Sequence, residues 1–270
     1  MFSDNGAPSP VKGPSRETDC LIIAAGKGSR LVARGEPKPL VTLGGATLLE
    51  RVMCTVAETG ITRFCIVTGY LAGQIESFVP ASPLLAGLDV RFVHNADWER
   101  ANGLSVARAA GSLGPRFVLL MSDHLFDARI LSRLLDQPAS DDEVILAVDS
   151  RVRNHPTADI DDVTKVLVEE GAIRDIGKEL TDYNAFDTGI FLCTPALFAA
   201  LEESSRGGDD SLSGGIRVLA SRGKARVFDI GDALWIDVDD DAAYDRAEDL
   251  FPPCTCAAGP RRSVPPPKSG

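Results

Sequence analysis

Short apolar runs alternate with helix-like segments through the first half of this 270-residue chain. The runs occupy residues 20–25, 63–68, 90–94, 117–121 and 144–149, and the segments between them include residues 47–58, 104–112 and 128–135. Because neighbouring parallel strands need a crossover between them, this alternation predicts βαβ units. We expect an α/β fold with a Rossmann-like, mostly parallel mixed sheet and helices on both faces.

The pattern changes after residue 149. Residues 163–169 and 172–177 flank Glu170-Gly171 and predict a β-hairpin, and a further strand is expected at 186–193 before a helix that opens at Pro195. We therefore expect one domain over residues 19–251, with halves at about 19–150 and 151–251. Pro, Gly and Ser enrichment predicts disordered tails at residues 1–18 and 252–270.

Composition excludes some classes of partner. The formal net charge is −11, which disfavours nucleic acid. No apolar stretch reaches the roughly 20 residues of a membrane span, and the polar N-terminus lacks the apolar core of a secretory signal. These features predict a cytoplasmic protein that does not span a membrane.

The six cysteines fall into two groups. Cys20, Cys54, Cys65 and Cys193 lie in apolar segments and are interpreted as buried core thiols, which agrees with a reducing compartment. Cys254 and Cys256 form a lone C-x-C in the Pro-rich tail. A solvated tail with incidental thiols is favoured over a metal or redox site, because no further ligands are evident nearby.

A glycine-rich loop follows the first apolar run. The run ends in Gly26-Lys27-Gly28-Ser29-Arg30, and Pro37-Lys38-Pro39-Leu40 comes a few residues later. Glycines let backbone N–H groups approach a phosphate because no Cβ blocks them, and Arg30 and Lys38 add two cations. The alternative is a structural turn with two surface cations. The combination favours binding of a nucleoside triphosphate.

Carboxylates at two later positions suit a divalent cation. Asp123 follows the run 117–121, and Mg²⁺ takes one or two protein carboxylates together with phosphate oxygens. The alternative for Asp123 is an N-cap of the helix that starts near Asp127. Asp237 and Asp239 lie two residues apart, hence on one strand face. Asp240 and Asp241 are expected to cap the helix 242–250.

The segment A-A-G-K-G-S-R-L, followed by E-P-K-P-L, resembles the signature of nucleotidyltransferases that couple a nucleoside triphosphate to a sugar phosphate or related phosphate. The resemblance spans about residues 19–250 and implies a glycosyltransferase-A-like nucleotidyltransferase fold. It implies Mg²⁺ on Asp123 and on Asp237 or Asp239, with Arg30 and the loop amides holding the leaving pyrophosphate and Lys38 at the α-phosphate. It also implies nucleotide contacts from Ala24, Ala25, Gly26, Gly28, Ser29, Arg30, Lys38, Asn95, Asn102, Gly103, Ser105 and Ser122. For Asn102 an ordinary helix N-cap is the alternative.

Two further stretches concern the acceptor. S-D-H-L-F at 122–126 and A-F-D-T-G-I-F at 185–191 resemble cytidylyltransferases that act on inositol phosphate. The resemblance implies acceptor contacts from His124, Lys178, Asp187 and Thr188, with residues 154–157 nearby. Each of two residues has an equally weighted alternative to acceptor contact. His124 could be a hydrogen-bonding support, and Lys178 could be a surface lysine. The form G-K-E at 177–179, in place of the family's E-K-P, argues against a typical hexose-1-phosphate enzyme.

The resemblance thus implies Mg²⁺-dependent transfer of a cytidylyl group from CTP to myo-inositol 1-phosphate, giving CDP-inositol and pyrophosphate. Alternative acceptors are choline phosphate, a phosphonate or a sugar 1-phosphate. A catalytically silent nucleotide-binding regulator is the other class, and the retained Arg30, Lys38, Asp123 and Asp237 argue against it. We expect a monomer or homodimer whose product is used by a separate membrane synthase.

Overall fold

The computed structural model describes residues 18–35, 37–153 and 162–253. The motif at 154–157 and Cys254 and Cys256 lie outside these ranges. The strands are β1 Asp19–Ala24, β2 Thr42–Leu43, β3 Ala46–Thr47, β4 Arg63–Thr68, β5 Asp89–His94, β6 Phe117–Met121, β7 His124–Phe126, β8 Val144–Asp149, β9 Lys165–Glu169, β10 Ala172–Gly177, β11 Ala185–Cys193, β12 Ala225–Asp229 and β13 Trp235–Asp237. The α-helices are α1 Leu48–Glu58, α2 Ala72–Ala81, α3 Asn102–Arg108, α4 Ala128–Leu135, α5 Ala196–Arg206, α6 Leu212–Ser221 and α7 Asp241–Leu250. Short 3₁₀ helices occupy Ser29–Arg34, Lys38–Leu40 and Pro83–Leu85.

A nine-stranded mixed sheet forms the centre of the molecule. Its order is β5-β4-β1-β6-β11-β8-β12-β10-β9, and β9 also pairs with β11. The strands β5, β4, β1 and β6 are mutually parallel, whereas β11 runs antiparallel to both β6 and β8. The expected parallel first half and mixed second half are confirmed.

Alternating side chains of the central strands enter two cores, one on each face of the sheet. In β1, Cys20 and Ile22 point to one face and Leu21 and Ile23 to the other, and all are buried. The first core is covered by α1, α2, α4 and α7, and the second by α3, α5 and α6. Because both faces of the sheet are covered, successive side chains of a central strand such as β1 are all buried, and such strands are continuous apolar runs in the sequence.

The predicted hairpin is present. β9 and β10 pair antiparallel, and the connecting Glu170 and Gly171 both have positive φ, of 50° and 78°. Two central residues with positive φ give the turn whose twist matches that of the flanking strands. The helix predicted at 104–112 begins and ends earlier, as α3, and α2, α6 and β12 had no counterpart among the predicted elements.

The cysteine interpretation needs one correction. Cys20, Cys65 and Cys193 are free and buried, as expected. Cys54 is buried in α1 but is disulfide-bonded, so it is not the fourth core thiol. Its position beside Phe251–Pro253, which lie against α1, had no sequence signal. Within the described ranges, no helix combines the length and apolarity needed to cross a bilayer.

Candidate active site

The glycine loop leaves the sheet at the carboxyl end of β1. Ala24 and Ala25 are buried, whereas Gly26 and Ser29 are exposed to solvent. Gly28 has a φ of 61°, and a Cβ there would lie only 2.5 Å from Cδ of Lys38. Glycine is therefore needed at position 28 both for its backbone conformation and for the passage of the lysine side chain beneath the loop.

Lys38 carries its charge into a cluster of three carboxylates. Its side chain is only 4% exposed, and Nζ lies 2.5 Å from Oδ2 of Asp123, 3.8 Å from Oδ1 of Asp237 and in contact with Asp239. Burial favours the neutral amine, but the three carboxylates outweigh it and raise the pKa of Lys38 above its usual value. The ammonium therefore holds the acidic residues together.

A two-stranded ribbon brings these carboxylates together. β7 pairs antiparallel with β13, which places Asp237 opposite His124, and the Val238 N–H donates to the carbonyl of Asp123 at 3.0 Å. Asp123 follows β6 of the main sheet, with only Ser122 between them. Residues more than 100 positions apart thereby meet at the carboxyl edge of the sheet, where ligands bind in folds of this type.

The fully buried Asp149 anchors the ribbon to the sheet. Its carboxylate accepts a hydrogen bond from Nε1 of Trp235 at 2.9 Å and from Nη2 of Arg151 at 2.6 Å. Because Trp235 begins β13, this buried pair fixes the strand that carries Asp237. Asp149 ends the predicted strand 144–149, but nothing in the sequence linked it to Trp235.

His124 is held between a carboxylate and a carbonyl. Nε2 lies 3.3 Å from Oδ2 of Asp237 and Nδ1 lies 2.8 Å from the carbonyl oxygen of Thr188. Burial favours neutral imidazole, but Asp237 and then Asp123 outweigh it and raise the pKa of His124 to about 10. Since both neighbours are acceptors, an imidazolium donates to both and orients Asp237.

The donor set suits a divalent cation. Ligand atoms of Asp123, His124 and Asp237 all lie within 4.8 Å of one another, and the two carboxylates supply the oxygens for a cation while the His124 imidazolium supports Asp237. Oδ1 of Asp237 is buried and has no hydrogen-bond partner among the described residues, while His124 and Lys38 hold the pKa of Asp237 well below its usual range despite burial. An ionised carboxylate oxygen that accepts no hydrogen bond, beside a second carboxylate, fits the oxygen ligands that Mg²⁺ prefers.

Asp239 is the less suitable of the two residues considered for the second ligand. Its oxygens contact Lys38 and Arg30, and burial together with the charge of Asp237 raises its pKa. We therefore assign the role of second carboxylate to Asp237 as a proposal. Asp240 caps α7 by accepting from Ala243 N at 2.7 Å, as expected, whereas Asp241 is the first residue of the helix and pairs with Arg34.

Asp162 links the two sides of the cleft. Its carboxylate contacts Arg30 of the glycine-loop segment, and its Oδ1 lies 2.5 Å from Nζ of Lys178. The hydrogen bond from Lys178, then that from Arg30, lowers the pKa of Asp162 to about 2. Sequence reasoning missed Asp162, because it lies in a connection with no recognisable motif.

Three of the residues predicted to contact the nucleotide, namely Asn95, Asn102 and Ser105, have partners inside the protein. Nδ2 of the fully buried Asn95 donates to Oγ of Ser105 at 2.9 Å. Oδ1 of Asn102 accepts from Leu212 N at 3.0 Å, and a Cβ on Gly103 would overlap the carbonyl of Asp210. Asn102 lines the cleft, but Ala101 is the N-cap of α3, so the N-cap alternative for Asn102 is wrong.

The N-cap alternative for Asp123 is also wrong. The N-cap of α4 is Asp127, whose Oδ1 accepts from Arg129 N at 2.9 Å. Ser122 is buried next to Asp123, and its N–H donates to the carbonyl of Ile23 at 3.1 Å. Asp123 is thus left to face the cleft.

The acceptor residues divide between the cleft and the core. Asp187 lines the cleft, its Oδ1 accepts from Gly189 N at 2.7 Å, and burial raises its pKa to about 6. Thr188 does not reach the cleft, because its side chain is fully buried and its hydroxyl donates to the carbonyl of Ala147 at 2.8 Å. The expected hydrogen bond from the Thr188 hydroxyl to the acceptor is therefore wrong. Thr188 contributes to the site through its carbonyl oxygen, which contacts Nδ1 of His124.

The cleft has a volume of about 260 Å³. The lining residues come from both halves of the domain: Arg30, Asn102, Met121, Asp123, His124, Asp162, Val163, Thr164, Lys178, Asp187, Gly189, Leu212, Ser213, Trp235, Asp237, Asp239, Asp240, Ala243 and Arg246. Cations and carboxylates both face this space, so it can hold anionic groups and a metal ion together.

Gly189→Ala is expected to lower stability by about 3 kcal/mol and to reduce activity. Gly189 has a φ of 74°, and a Cβ there would overlap the His124 imidazole. Backbone strain and displacement of His124 thus act together. Thermal unfolding and turnover measure the two effects.

Gly171→Ala is the matched control. Gly171 has a φ of 78° but nothing lies within 4 Å of a Cβ built on it. Its substitution should lower the free energy of unfolding by only about 1 kcal/mol, through backbone strain, and should leave activity unchanged. Equal losses of stability and activity in the two variants would contradict a packing role for Gly189 against His124.

Comparison with known proteins places this chain in a family. Residues 20–174 match the model of the MobA-like NTP transferase domain. The chain is 37% identical over 221 residues to a bifunctional IPC transferase and DIPP synthase of Rubrobacter xylanophilus, covering 81% of this chain and 48% of that protein. A protein of the same name from Archaeoglobus fulgidus is 30% identical, with 81% and 41% covered. The chain therefore spans about half the length of the curated relatives it matches.

Solved structures confirm the fold. The inositol-1-phosphate CTP transferase from T. maritima superposes with a TM-score of 0.76 at 26% identity, covering 89% of this chain and 99% of that one. A UDP-glucose pyrophosphorylase complexed with UDP-glucose has a TM-score of 0.71 at 18% identity and supports the fold alone. With more than half of its length matched by the family model, the chain belongs to the MobA-like NTP transferase family.

Proposed function

We propose that this protein transfers a cytidylyl group from CTP to myo-inositol 1-phosphate, with Mg²⁺, and releases CDP-inositol and pyrophosphate. The observation that carries the proposal is the cluster at the sheet edge. There Lys38, Asp123 and Asp237 converge beside the glycine loop, and one buried oxygen of Asp237 lacks a hydrogen-bond partner among the described residues. Family membership supports the nucleoside triphosphate as donor.

The chain's own residues have a positioning task. The acceptor and the triphosphate are both anions and repel each other. Fixed cations must offset this repulsion before the acceptor can attack the α-phosphorus in line. Arg30 and the amides of the glycine loop would hold the leaving pyrophosphate, and Lys38 would stabilise charge at the α-phosphate. Mg²⁺, when bound to Asp123 and Asp237, would neutralise further phosphate charge.

This mechanism needs neither a general base nor a nucleophilic side chain. A phosphate monoester is already largely ionised near neutral pH, so its oxygen can attack without a general base. No side chain forms a covalent bond to the nucleotide. His124 acts instead as a fixed imidazolium that orients Asp237, which agrees with its raised pKa of about 10.

The choice of acceptor rests on similarity and on the cleft. The T. maritima neighbour is an inositol-1-phosphate CTP transferase, and Asp187 of the A-F-D-T-G-I-F stretch lines the same cleft as His124 and Asp237. A buried carboxyl with a pKa near 6 can accept hydrogen bonds from hydroxyls of a polyol. The inositol ring of the 1-phosphate carries a free hydroxyl on each of its remaining carbons and provides such donors.

A phosphonate is the second candidate acceptor. A CMP-5'-(3-aminopropyl)phosphonate synthase of Streptomyces rubellomurinus is 30% identical over 256 residues, covering 86% of this chain and 38% of that protein. Nucleotidyl transfer to a phosphonate would use the same cations and carboxylates. It would differ only in the contacts made by Asp187 and Lys178.

A matrix of substrates tests the proposal. Each of the four nucleoside triphosphates is combined with myo-inositol 1-phosphate, choline phosphate, glucose 1-phosphate and 3-aminopropylphosphonate, and pyrophosphate release is followed. We expect CTP with myo-inositol 1-phosphate to give the highest kcat/KM. A higher value for any other pair would replace the donor or acceptor assigned here.

The proposal also covers the use of the product, the location of the protein and its oligomeric state. CDP-inositol would be consumed by a separate membrane synthase, and the protein would act in the cytoplasm as a monomer or homodimer. Gel filtration and co-purification with a membrane fraction would test these statements.

A further inference from the structure

Arg246 is a cleft residue that neither the sequence motifs nor the mechanism uses. It lies in α7, three residues after Ala243, and both side chains line the cleft. Positions three apart on a helix share one face. α7 therefore presents one cationic side chain to the space that holds Asp123, Asp187 and Lys178.

The guanidinium of Arg246 has no anionic partner among the described residues. Its Nε–H is buried and finds no hydrogen-bond acceptor within the described ranges, and none of the ion pairs found there includes Arg246. The other cations of the cleft are paired: Arg30 contacts Asp162 and Asp239, and Lys178 contacts Asp162. Arg246 thus differs from them in having its charge available.

Two of the acidic residues of α7 near Arg246 are engaged elsewhere. Asp241 and Asp245 pair with Arg34, through Nε at 2.6 Å and Nη2 at 2.8 Å. The guanidinium of Arg34 also lies 4.2 Å from the ring centroid of Tyr244. Because Arg34 occupies the carboxylates on the outer side of α7, these do not neutralise the arginine on the cleft side.

A buried donor without a partner is rare in folded proteins and calls for a ligand or another partner. Arginine presents its donors in a planar fork that matches the oxygens of a phosphate group. We propose that Arg246 binds a phosphate group of a substrate in the cleft. The identity of that substrate rests on the proposed function, which supplies two sources of phosphate, the acceptor monoester and the triphosphate of CTP.

Calorimetric titration of Arg246→Gln with phosphorylated and unphosphorylated probes tests the proposal. The probes are CTP, cytidine, myo-inositol 1-phosphate, myo-inositol and inorganic pyrophosphate, each with Mg²⁺. We expect at least tenfold weaker binding of one or more phosphorylated probes and unchanged behaviour of cytidine and myo-inositol. A loss confined to myo-inositol 1-phosphate assigns Arg246 to the acceptor, and a loss for CTP or pyrophosphate assigns it to the donor.

Arg206→Gln is the matched control, because it removes the same charge from an exposed i,i+4 pair with Glu202 on α5. It should leave every affinity within twofold of the wild type. The melting temperature of Arg246→Gln should equal or exceed that of the wild type, since an unpartnered buried donor is removed.

Unchanged affinities for all phosphorylated probes would overturn the proposal, and so would a large fall in melting temperature, which would give Arg246 a structural role. Wild-type turnover is measured separately in the same preparations. A wild type that binds the phosphorylated probes but transfers no cytidylyl group would contradict the proposed function, while the comparison of affinities would still decide the role of Arg246.

Discussion

Asp123→Asn is expected to lower turnover by at least about 10³-fold while the fold is kept. Asp123 follows β6 at the edge of the sheet and contacts Lys38 through Oδ2 at 2.5 Å. An amide keeps the shape of the carboxylate but removes the charge that a divalent cation needs from its ligand. Initial rates of pyrophosphate release at saturating CTP, and circular dichroism of the same samples, provide the measurement.

Asp142→Asn is the control for this substitution, because Asp142 is 58% exposed and, among the described residues, pairs with Lys224 alone at the surface. Its activity should match that of the wild type. The melting temperature of Asp123→Asn should stay within a few degrees of the wild-type value, since two other carboxylates still surround Lys38. Asp123→Asn with turnover within tenfold of the wild type would remove Asp123 from the metal role.

Lys38→Met is expected to have the second largest effect, with turnover reduced by about 10²- to 10³-fold. Its ammonium is the shared partner of Asp123, Asp237 and Asp239 and is almost fully buried. Without it, three carboxylates face one another, and the protein without metal loses stability through their repulsion. Mg²⁺ should therefore raise the melting temperature of the variant more than that of the wild type.

Thermal unfolding with EDTA and with millimolar Mg²⁺ measures this difference. Lys224→Met is the matched control, since Lys224 is 40% exposed and pairs with Asp142 outside the cleft. The control should respond to Mg²⁺ as the wild type does. Equal Mg²⁺ responses of Lys38→Met and the wild type would show that Lys38 does not hold the carboxylates together.

Local sequence patterns predict the first half of the fold well. The strands at 63–68, 117–121 and 144–149 agree with β4, β6 and β8 residue for residue. Strands that are covered on both faces consist of continuous apolar residues, so their limits are visible in the sequence. The helix α6 is less visible, because Gly214 and Gly215 interrupt its periodicity and are needed for close packing on Asp209 and Leu201.

The site is predictable where a motif defines it and not where distant segments meet. The glycine loop, Lys38, Asp123 and Asp237 were all foreseen, and the structure brings them together. Asp162 and Arg246 were missed, because each enters the cleft from a segment that carries no recognisable motif. Its residue type predicts that Thr188 contacts the acceptor, but its hydroxyl is buried and donates to the carbonyl of Ala147 instead.

The most direct test of the central claim is ³¹P NMR of the wild-type protein with CTP, myo-inositol 1-phosphate and Mg²⁺. We predict the two coupled resonances of a diphosphate diester, CDP-inositol, together with one equivalent of pyrophosphate, because the acceptor oxygen attacks the α-phosphorus. Formation of CMP, or an unchanged spectrum from a protein that calorimetry shows to be saturated with CTP, would contradict the account.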